Sequence, residues 1–571
     1  MMAGYSGKAI RINLTDKEVV VFKTPEDLCR EFIGGRGLGV KLISDRIKQD
    51  YYSPYMPIIF ATGPLVGTSA PTSGRMSVLS RSPLTGTIFD CSVGGRFGSE
   101  LKRAGFDYIE ITGVSRKWVI LNIENNNVTI EDAEGLNGKN ISEIASIIGG
   151  KGSFAAIGRS GEKQVRFSSI VFDGHYLAGR GGLGAVMGAK RLKAIRVKGD
   201  GKIEVANPEG IKKAREEIMR LLRASQAIFG EFGLSEFGTA ALVDLIHSRR
   251  MEPTENFKKT IFHGSSNYSG YTMKKRYRTK KTGCAGCPIL CKKIGPRGEK
   301  IPEFETVSHF GALNGCDDLE AIMKANRICD EYGLDTISAA STIACHSEIV
   351  GVRSKPEEMI NLLKEIAERS SSLGDALAEG SLRYARDLGH PELSMSVKGL
   401  ELPAYDPRGS YGMALAYVTS NRGGCHLRAY PIGHEILRKP VATDRFSFEG
   451  KARIVKIAED MNAVVDSLTA CKFVFFAASL EEYARAVTAV TGIEYDVQSL
   501  LKTGERIWNL ERRLNKQNGF SIADDDLPER FFREEGSSSK NIKIPPINRG
   551  EFLKARENYY RIRGYTFDKT Y

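Results

Sequence analysis

Three of the ten cysteines of this chain lie within eight positions, as Cys284, Cys287 and Cys291 in the stretch TGCAGCPILCKKIGP (282–296). Their spacing is C-x2-C-x3-C, which leaves a set of thiolate ligands one member short. Bacterial ferredoxins bind an iron–sulfur cluster with C-x2-C-x2-C and a more distant cysteine, so this spacing favours an iron–sulfur cluster. A structural zinc site and unliganded thiols are the alternatives; zinc usually takes its remaining ligands from a second nearby pair, which the sequence lacks.

The spacing does not identify the fourth ligand. The candidates are the seven remaining cysteines, most of which we expect to be small buried hydrophobic residues: Cys29, Cys91, Cys316, Cys329, Cys345, Cys425 and Cys471. Ten cysteines in 571 residues do not make a disulfide scaffold, and a tight group of cysteines in a reducing compartment more often binds metal.

The elements that must position these cysteines change character along the chain. In the first 200 residues or so, KAIRINL (8–14) and EVVVFKTP (18–25) predict a β-hairpin, and further strand-like segments follow, separated by glycine clusters. From about residue 205 to about 515, apolar residues recur at helical spacing, as in KPEEMINLLKEIAERS (355–370). The pattern predicts an α+β fold with a β-rich N-terminal domain followed by mainly helical structure.

Charge and hydropathy exclude several classes of protein. The net charge is +13, but the basic residues are spread along the chain with only short runs such as MKKRYRTKK (273–281), so we expect no nucleic-acid partner. A basic surface would suit an acidic protein partner. The longest apolar runs, such as CKFVFFAASL (471–480), are too short to span a membrane, and the N-terminus shows no secretory signal. We therefore expect a cytoplasmic protein.

Motifs along nearly the whole chain make it similar to the aldehyde:ferredoxin oxidoreductase family, tungsten enzymes with a bis-pterin cofactor and one [4Fe–4S] cluster. The stretches that carry the resemblance are GYSGKAIRINLT (4–15), GGRGLGVKL (34–42), GRMSVLSRSPLTG (74–86), SVGGRFGSELKRAGFD (92–107), GRGGLGAVMGAKRLKAI (179–195), CAGCPILC (284–291), PEFET (302–306), DEYGLD (330–335), YDPRGSYGMALAYVTSNRGGCHLRAY (405–430), GERIWNLERRLN (504–515) and DDLPERFF (525–532).

The resemblance implies oxidation of an aldehyde to the carboxylic acid, with water as the oxygen source and electrons passing through the cluster to ferredoxin or a ferredoxin-like subunit. It also implies a β-rich domain that seats the pterins (1–203), a helical domain with three cluster cysteines (204–402), and a helical domain with the fourth (403–571). Molybdenum would suit the pterin dithiolenes as well as tungsten.

Two segments of the form D-x-x-G-L-(C/D) bind the pterins in this family. The first is intact here, and the resemblance assigns to the cofactor Asp330, Gly333, Leu334 and Asp335. The second aligns with residues 466–471, where Thr-Ala replaces Gly-Leu, and it assigns Asp466 and Ala470 to the cofactor and Cys471 to the cluster as its fourth ligand. Taken alone, DEYGLD is typical of a helix C-terminus capped by glycine, which is compatible with the same role.

The stretch GRGGLG (179–184) also satisfies the dinucleotide fingerprint G-x-G-x-x-G. That fingerprint needs a full crossover helix, and only about eight residues precede the next predicted strand, so we do not expect NAD. The resemblance instead assigns to the pterin phosphates Arg75, Ser92, Gly94, Arg180, Gly181 and Leu183. Arg75 is expected to bridge a phosphate and a cluster sulfur, while the main-chain carbonyls of Ser92 and Gly181 would face a Mg²⁺ that joins the phosphates.

Oxidation of an aldehyde needs a base for the attacking water and a donor for the carbonyl oxygen. The resemblance assigns Glu305 as the general base and His426 as the donor, with Glu303 as the second candidate for the base. Cys425 adjoins His426 and could suggest a thiol nucleophile, an interpretation that we disfavour because sequence neighbours point in different directions.

Some relatives carry an E-x-x-H metal site at a dimer interface, where this chain has Lys324. We therefore expect no bridging iron, but still a homodimer. Two alternatives to aldehyde oxidation remain: a reductase of carboxylic acids or aromatic thioesters on the same cofactor, and a catalytically silent iron–sulfur or zinc protein.

Overall fold

The computed structural model describes residues 2–150 and 152–565. In this part of the chain the N-terminal region forms two six-stranded mixed sheets. The strands of the first sheet are β1 Lys8–Asn13, β2 Glu18–Lys23, β3 Ile58–Ala61, β4 Met76–Arg81, β5 Ile88–Val93 and β6 Tyr108–Thr112. Their order is β2-β1-β6-β3-β4-β5; β1 and β6 run parallel and the other neighbours antiparallel.

The second sheet repeats this topology strand for strand. Its strands are β7 Val119–Glu124, β8 Asn127–Asp132, β9 Ser153–Ile157, β10 Ile170–Phe172, β11 Tyr176–Ala178 and β12 Leu192–Lys198. Their order, β8-β7-β12-β9-β10-β11, is that of the first sheet with six added to each number, and β7 and β12 are again the parallel pair. The amino-acid sequence shows no tandem repeat, so this duplication is visible only in the structure.

Short helices connect the strands: α1 Glu26–Phe32, α2 Gly35–Ile43, α3 Phe97–Arg103, α4 Ile141–Ile148, α5 Arg159–Glu162 and α6 Leu183–Ala189. The helices α3 and α6 occupy equivalent places, and a glycine-rich stretch leads into each. Gly182 has φ +78°, and a Cβ atom there would lie 2.0 Å from the carbonyl oxygen of Arg166. The stretch GRGGLG thus turns the chain tightly into a seven-residue helix, which is too short for the crossover helix of a dinucleotide fold.

Helices dominate the remainder of the described chain, which confirms the α+β class. They are α7 Pro208–Ala224, α8 Gln226–Phe229, α9 Leu234–Phe237, α10 Leu242–Ser248, α11 Gly270–Tyr277, α12 Phe304–Phe310, α13 Leu319–Tyr332, α14 Thr336–Val350, α15 Pro356–Glu368, α16 Ser372–Leu377, α17 Ser381–Asp387, α18 Tyr411–Thr419, α19 Ile432–Glu435, α20 Lys451–Leu468, α21 Leu480–Thr491, α22 Val497–Gln517, α23 Arg530–Arg533 and α24 Arg549–Arg563. Two short hairpins interrupt them: β13 Lys280–Thr282 with β14 Lys292–Ile294, and β15 Ser396–Val397 with β16 Leu400–Glu401.

One continuous hydrophobic core joins the two sheets to helices α12, α13, α14 and α18. The helix α18 (YGMALAYVT) is buried along its whole length, which explains why its sequence lacks a polar face. The helix α2 of the N-terminal region packs on α20 and α22. The helical region is therefore seated directly on the sheets, while the predicted boundaries at 203/204 and 402/403 stay predictions. None of the described helices is both long and apolar enough to cross a membrane.

Candidate active site

The three clustered cysteines lie in the loop between β13 and β14, and Cys471 follows the C-terminal end of α20. The Cys471 N–H donates to the carbonyl oxygen of Thr72 (3.0 Å), which ties it to the first sheet. Burial, and then the neighbouring Cys471, raises the pKa of Cys287 to about 11 and also raises that of Cys291. The structure thus brings residues from two distant parts of the chain together.

Arg75 and Gly94 of the first sheet border this group of thiols. The Arg75 guanidinium donates to the Oγ (2.8 Å) and the carbonyl oxygen (2.6 Å) of Ser92, and its Nη1 lies 3.9 Å from Cys471 Sγ. A Cβ atom on Gly94 would lie 2.4 Å from Cys284 Sγ, and the Ala285 N–H donates to Gly95 O (3.2 Å). Glycine is required at position 94 because the cysteine loop approaches the backbone there.

Four thiols beside one guanidinium form the donor set that an iron–sulfur cluster uses. A single zinc ion holds its thiolates at about 2.3 Å, which places the sulfurs within roughly 4 Å of one another. In residues 2–150 and 152–565, no three His, Cys, Asp or Glu side chains converge closely enough to hold one metal ion.

The two predicted pterin segments adopt the same backbone geometry. The helix α13 ends with Gly333 at φ +76°, ψ +53°, and α20 ends with Thr469 at φ +57°, ψ +33°. Each of these residues donates its N–H to the carbonyl four positions earlier, and the next residue donates to the same carbonyl (2.8–3.0 Å). Five residues after each aspartate, the N–H of Asp335 donates to Phe167 O and that of Cys471 to Thr72 O, both at 3.0 Å. Threonine therefore reproduces the left-handed cap that glycine makes in the first segment.

A buried ionic network surrounds the second segment. Asp466 Oδ2 accepts from Arg36 (3.4 Å), Arg428 (3.1 Å) and Lys472 (2.8 Å), and Arg36 also binds Glu511 through two 2.7 Å hydrogen bonds. Arg428 and Arg36 both pair with Asp90 on β5 as well. Nevertheless, Asp466 Oδ1 and Arg428 Nε, both buried, have no hydrogen-bond partner in the described structure. A buried acceptor and donor are thus left for a polar ligand.

Arg180 joins the second sheet to the first segment. Its guanidinium donates to Asp335 Oδ2 (3.1 Å) and to the carbonyl oxygens of Glu401 (2.9 Å) and Gly424 (3.2 Å). Asp335 also caps α14 by accepting from the Ile337 N–H (3.0 Å). This arginine therefore links the end of β11 to the first pterin segment and to the helical region.

The remaining residues assigned to the pterins have different surroundings. Ser92 O accepts from Arg75 and Gly181 O from Ser82 Oγ (2.7 Å), which leaves each carbonyl one lone pair for a cation. Asp330 pairs with Lys300 (3.2 Å) at the edge of a cavity of about 670 Å³ that Glu305 and His426 do not line. Three of the residues assigned to the pterins are apolar and fully buried, so their side chains pack in the core and form no hydrogen bonds: Leu183, Leu334 and Ala470.

Glu305 and His426 face each other inside the protein, with His426 Nε2 at 3.6 Å from Glu305 Oε1. Glu305 Oε2 accepts from the Ala404 N–H (2.9 Å), whereas Glu305 Oε1 and His426 Nδ1 have no hydrogen-bond partner among the described residues. Burial raises the pKa of Glu305 to about 8. Burial, followed by the charge of Arg180, lowers the pKa of His426 well below its ordinary value, so the imidazole is neutral.

Two other candidates for catalysis are occupied elsewhere. Glu303 is about half exposed and pairs with Lys292 (3.3 Å). Cys425 Sγ accepts from Arg422 Nη2 (2.9 Å) and Nε (3.2 Å) and from the Leu427 N–H (3.2 Å). Although burial raises the Cys425 pKa, the arginines outweigh it and bring the value to about 7. Three donors on its sulfur make Cys425 a structural acceptor.

Aromatic side chains enclose the imidazole. Ring centroids of Tyr405 and Tyr430 lie 5.6 and 6.4 Å from that of His426, and the two tyrosine hydroxyls share a hydrogen bond of 3.0 Å. Phe304, one residue before Glu305, packs on Tyr405. The acid and the imidazole thus sit in a largely apolar chamber, which is why burial dominates their titration.

Sequence reasoning did not single out several residues that build this site. His309, one turn after Glu305 on α12, places Nδ1 2.7 Å from Glu305 O and Nε2 3.1 Å from Leu402 O. The other members belong to the ionic network: Arg36, Asp90, Arg428, Lys472 and Glu511. Three of these five, Arg36, Arg428 and Glu511, lie inside the family motifs given above. The presence of a charged residue within such a motif was the signal that could have identified them. The exposed Lys324 lies apart from the site on α13.

Known proteins resemble this chain over its whole length. Family models for aldehyde ferredoxin oxidoreductase match residues 9–199 (N-terminal domain) and 213–569 (domains 2 and 3). Tungsten-containing aldehyde ferredoxin oxidoreductases from Pyrococcus furiosus and Thermococcus kodakarensis are 39% and 38% identical, each over 99% of this chain and 97% of the relative.

A solved structure shares the fold. The active-site complex BamBC of benzoyl-coenzyme A reductase superposes with a TM-score of 0.85, covering 99% of this chain and 95% of that one at 24% identity. Family models match both the β-rich N-terminal region and the helical region, and the relatives match over nearly the full length. The chain therefore belongs to the aldehyde ferredoxin oxidoreductase family.

Proposed function

We propose that this protein oxidises an aldehyde to the carboxylic acid, with water as the oxygen source and ferredoxin as the electron acceptor. The observation that carries the proposal is the buried pair Glu305 and His426: His426 Nε2 lies 3.6 Å from Glu305 Oε1, and Glu305 Oε1 and His426 Nδ1 have no hydrogen-bond partner within the described chain. The pair lies at the junction of the two sheets and the helical region, beside the residues suited to a bis-pterin.

The residues present suit the cofactors of the family. Asp466 Oδ1 and Arg428 Nε would meet polar groups of one pterin, and the equivalent end of α13 at Asp330–Asp335 would meet the other. The cluster ligands would be Cys284, Cys287, Cys291 and Cys471, with Arg75 between cluster and pterin. When bound, the tungsten bis-pterin and the [4Fe–4S] cluster supply a two-electron acceptor and a one-electron relay.

Two side chains of the protein would accept the proton of the attacking water and donate a hydrogen bond to the aldehyde oxygen. The ionised form of Glu305 has Oε1 available to accept a proton from water, while its Oε2 is held in place by the Ala404 N–H. The neutral His426 can donate an N–H to the aldehyde oxygen. The aromatic enclosure of Tyr405 and Tyr430 excludes bulk water, which strengthens both interactions.

The overall reaction balances with two one-electron acceptors. Aldehyde and water give the carboxylic acid, two protons and two electrons, so each turnover reduces two ferredoxin molecules. A homodimer without iron at Lys324 and a cytoplasmic location are part of the proposal. Analytical ultracentrifugation together with iron content tests the dimer.

Metal analysis and EPR of anaerobically purified protein test the function first. We expect about four irons and one tungsten or molybdenum per chain, a signal from the reduced cluster, and aldehyde-dependent reduction of benzyl viologen. Zinc alone, or a loaded enzyme that reduces thioesters or carboxylic acids but oxidises no aldehyde, would contradict the proposal.

A further inference from the structure

The segment 270–300, which contains the cysteine loop, holds an unusual share of the protein's charge. It has ten Lys and Arg residues against one Glu, a net +9 within a chain whose total is +13. The segment comprises α11, the β13–β14 hairpin and the residues that follow it. Six of these ten basic side chains pair with carboxylates, which leaves Lys275, Arg278, Lys280 and Lys293 without an ion pair among the described residues.

Part of this segment reaches the surface beside the cysteines. At the tip of the loop, Ala285 and Gly286 are exposed between Cys284 and Cys287, and Gly286 has φ +68° with nothing within 4 Å of the position that a Cβ atom would take. Lys275 on α11 and Lys280 on β13 are exposed, and no ion pair engages either one among the described residues. These two lysines are free to attract a negatively charged partner.

Two exposed aromatic side chains lie near this basic segment: Tyr271 is one turn before Lys275 on α11, and Phe232 stacks on Phe237, whose ring centroid is 5.0 Å from Lys274 Nζ. Phe232, between α8 and α9, is 74% exposed, and Tyr271 on α11 is 61% exposed. Phe232 stacks on Phe237 (centroids 6.3 Å apart), and a Cβ atom on the following Gly238 would lie 2.6 Å from Cys291 O. The backbone that follows Phe237 therefore lies against the backbone of the cluster cysteine Cys291.

We propose that this surface, the cluster-loop face formed by Phe232, Tyr271, Lys275, Lys280, Ala285 and Gly286, is the docking site of an acidic one-electron carrier of the ferredoxin type. The proposal rests on the proposed function and specifies where its electron acceptor binds. Opposite charge steers association of such partners, and the transient complexes of redox proteins bury small areas, as an aromatic pair within a charged rim would. Docking here would bring the carrier within a few residues of the cluster ligands, where electron transfer is fastest.

The test compares two acceptors for the same loaded enzyme. In the double variant K275E/K280E, we expect the KM for a recombinant acidic [4Fe–4S] ferredoxin to rise roughly tenfold or more, with a flatter dependence of kcat/KM on ionic strength. The kcat with benzyl viologen should stay within about twofold of wild type, because a small dye needs no docking face. K275Q/K280Q should show a smaller effect in the same direction, and F232A should raise the KM without changing the salt dependence.

A matched control reverses two exposed lysines on other helices, K364E/K554E, and should leave both acceptors unaffected. An unchanged ferredoxin KM in K275E/K280E, with normal iron content, would overturn the docking proposal. A change from dimer to monomer in that variant, measured by ultracentrifugation, would also overturn it, since the face would then join two copies of this chain. Wild-type enzyme that is inactive with viologen would instead count against the proposed function.

Discussion

Glu305 lies on the first turn of α12, with one carboxylate oxygen fixed by the Ala404 N–H and the other facing His426. The groups around it are His309, Arg180, Asp335 and Cys425; the arginine lowers its pKa while Asp335 and Cys425 raise it. Burial is the largest influence and brings the pKa to about 8. The carboxyl group is thus mostly protonated at neutral pH, although a base must be ionised to act.

The raised pKa of Glu305 determines the expected pH dependence of the activity. As pH rises through about 8, the ionised fraction of Glu305 increases, so kcat/KM for an aldehyde with viologen should rise over pH 6.5–8.5 and then level off. A profile that is flat across this range in the metal-loaded enzyme would show that Glu305 is not the titrating base.

Substitution tests the same assignment. Glu305→Gln keeps the size and the Ala404 hydrogen bond but removes the base, so we expect kcat to fall by about 10²–10⁴ with full tungsten and iron content. Glu303→Gln, on the half-exposed neighbour paired with Lys292, should stay near wild type. Near-normal turnover in Glu305→Gln would remove this residue from the mechanism.

Gly94 offers a test of the cluster site that does not depend on turnover. In Gly94→Ala the new Cβ atom would lie 2.4 Å from Cys284 Sγ, so the cysteine loop must shift and we expect iron content to fall well below four per chain. Gly135→Ala, where nothing lies within 4 Å of the added carbon, should retain its iron. Colorimetric iron analysis and the visible spectrum of the cluster measure both.

At the scale of elements, the ends of α13 and α20 present equivalent aspartates, left-handed caps and following residues to the two sheets. This pairing mirrors the duplicated strand order of the N-terminal region. Thr469 bears the steric cost of φ +57°, roughly 1–2 kcal/mol for a residue with a Cβ atom. Its Oγ1 donates to Leu468 O (2.6 Å), a local hydrogen bond that glycine could not make.

The backbone, rather than the side chain, should matter at this cap. Thr469→Gly should keep wild-type tungsten and iron content, because glycine adopts φ +57° freely. Thr469→Pro fixes φ near −65° and removes the N–H that bonds to Val465 O, so Cys471 should be displaced and the cluster lost. If the proline variant retained four irons per chain, Cys471 would not be the fourth ligand.

At the scale of the whole molecule, the Arg36 network holds the N-terminal region on the helical region. Arg36 and its partners Asp90, Asp466 and Glu511 come from α2, β5, α20 and α22, and Arg36 itself is completely buried. Removing one partner of such a network leaves buried charges uncompensated, which costs more than the intact network contributes.

Thermal and urea denaturation of two matched variants test this role. Arg36→Met should lower the free energy of unfolding by about 3–5 kcal/mol, because Glu511, Asp90 and Asp466 lose a shared cation. Arg506→Met removes an exposed hydrogen bond to Glu31 O (2.7 Å) and an exposed ion pair with the Glu31 carboxylate (3.9 Å), and it should change the free energy of unfolding by less than about 1 kcal/mol. Equal stability of the two variants would show that the network does not hold the regions together.

Local patterns in the chain were enough to establish the β-then-α order, the cysteine spacing and the family, because strand and helix periods and short ligand motifs are local properties. They also pointed to Glu305 and His426, but only through the place of these residues in family motifs. The neutral state of His426 and the raised pKa of Glu305 could not be read from neighbours in the chain, since both depend on burial.

The duplicated sheet became visible only in three dimensions, because its two halves share topology without a sequence repeat. The same is true of the place of Arg36 in the site, where its guanidinium meets Asp466, 430 positions further along the chain. Each of these depends on contacts between residues far apart in the chain, which local patterns do not encode.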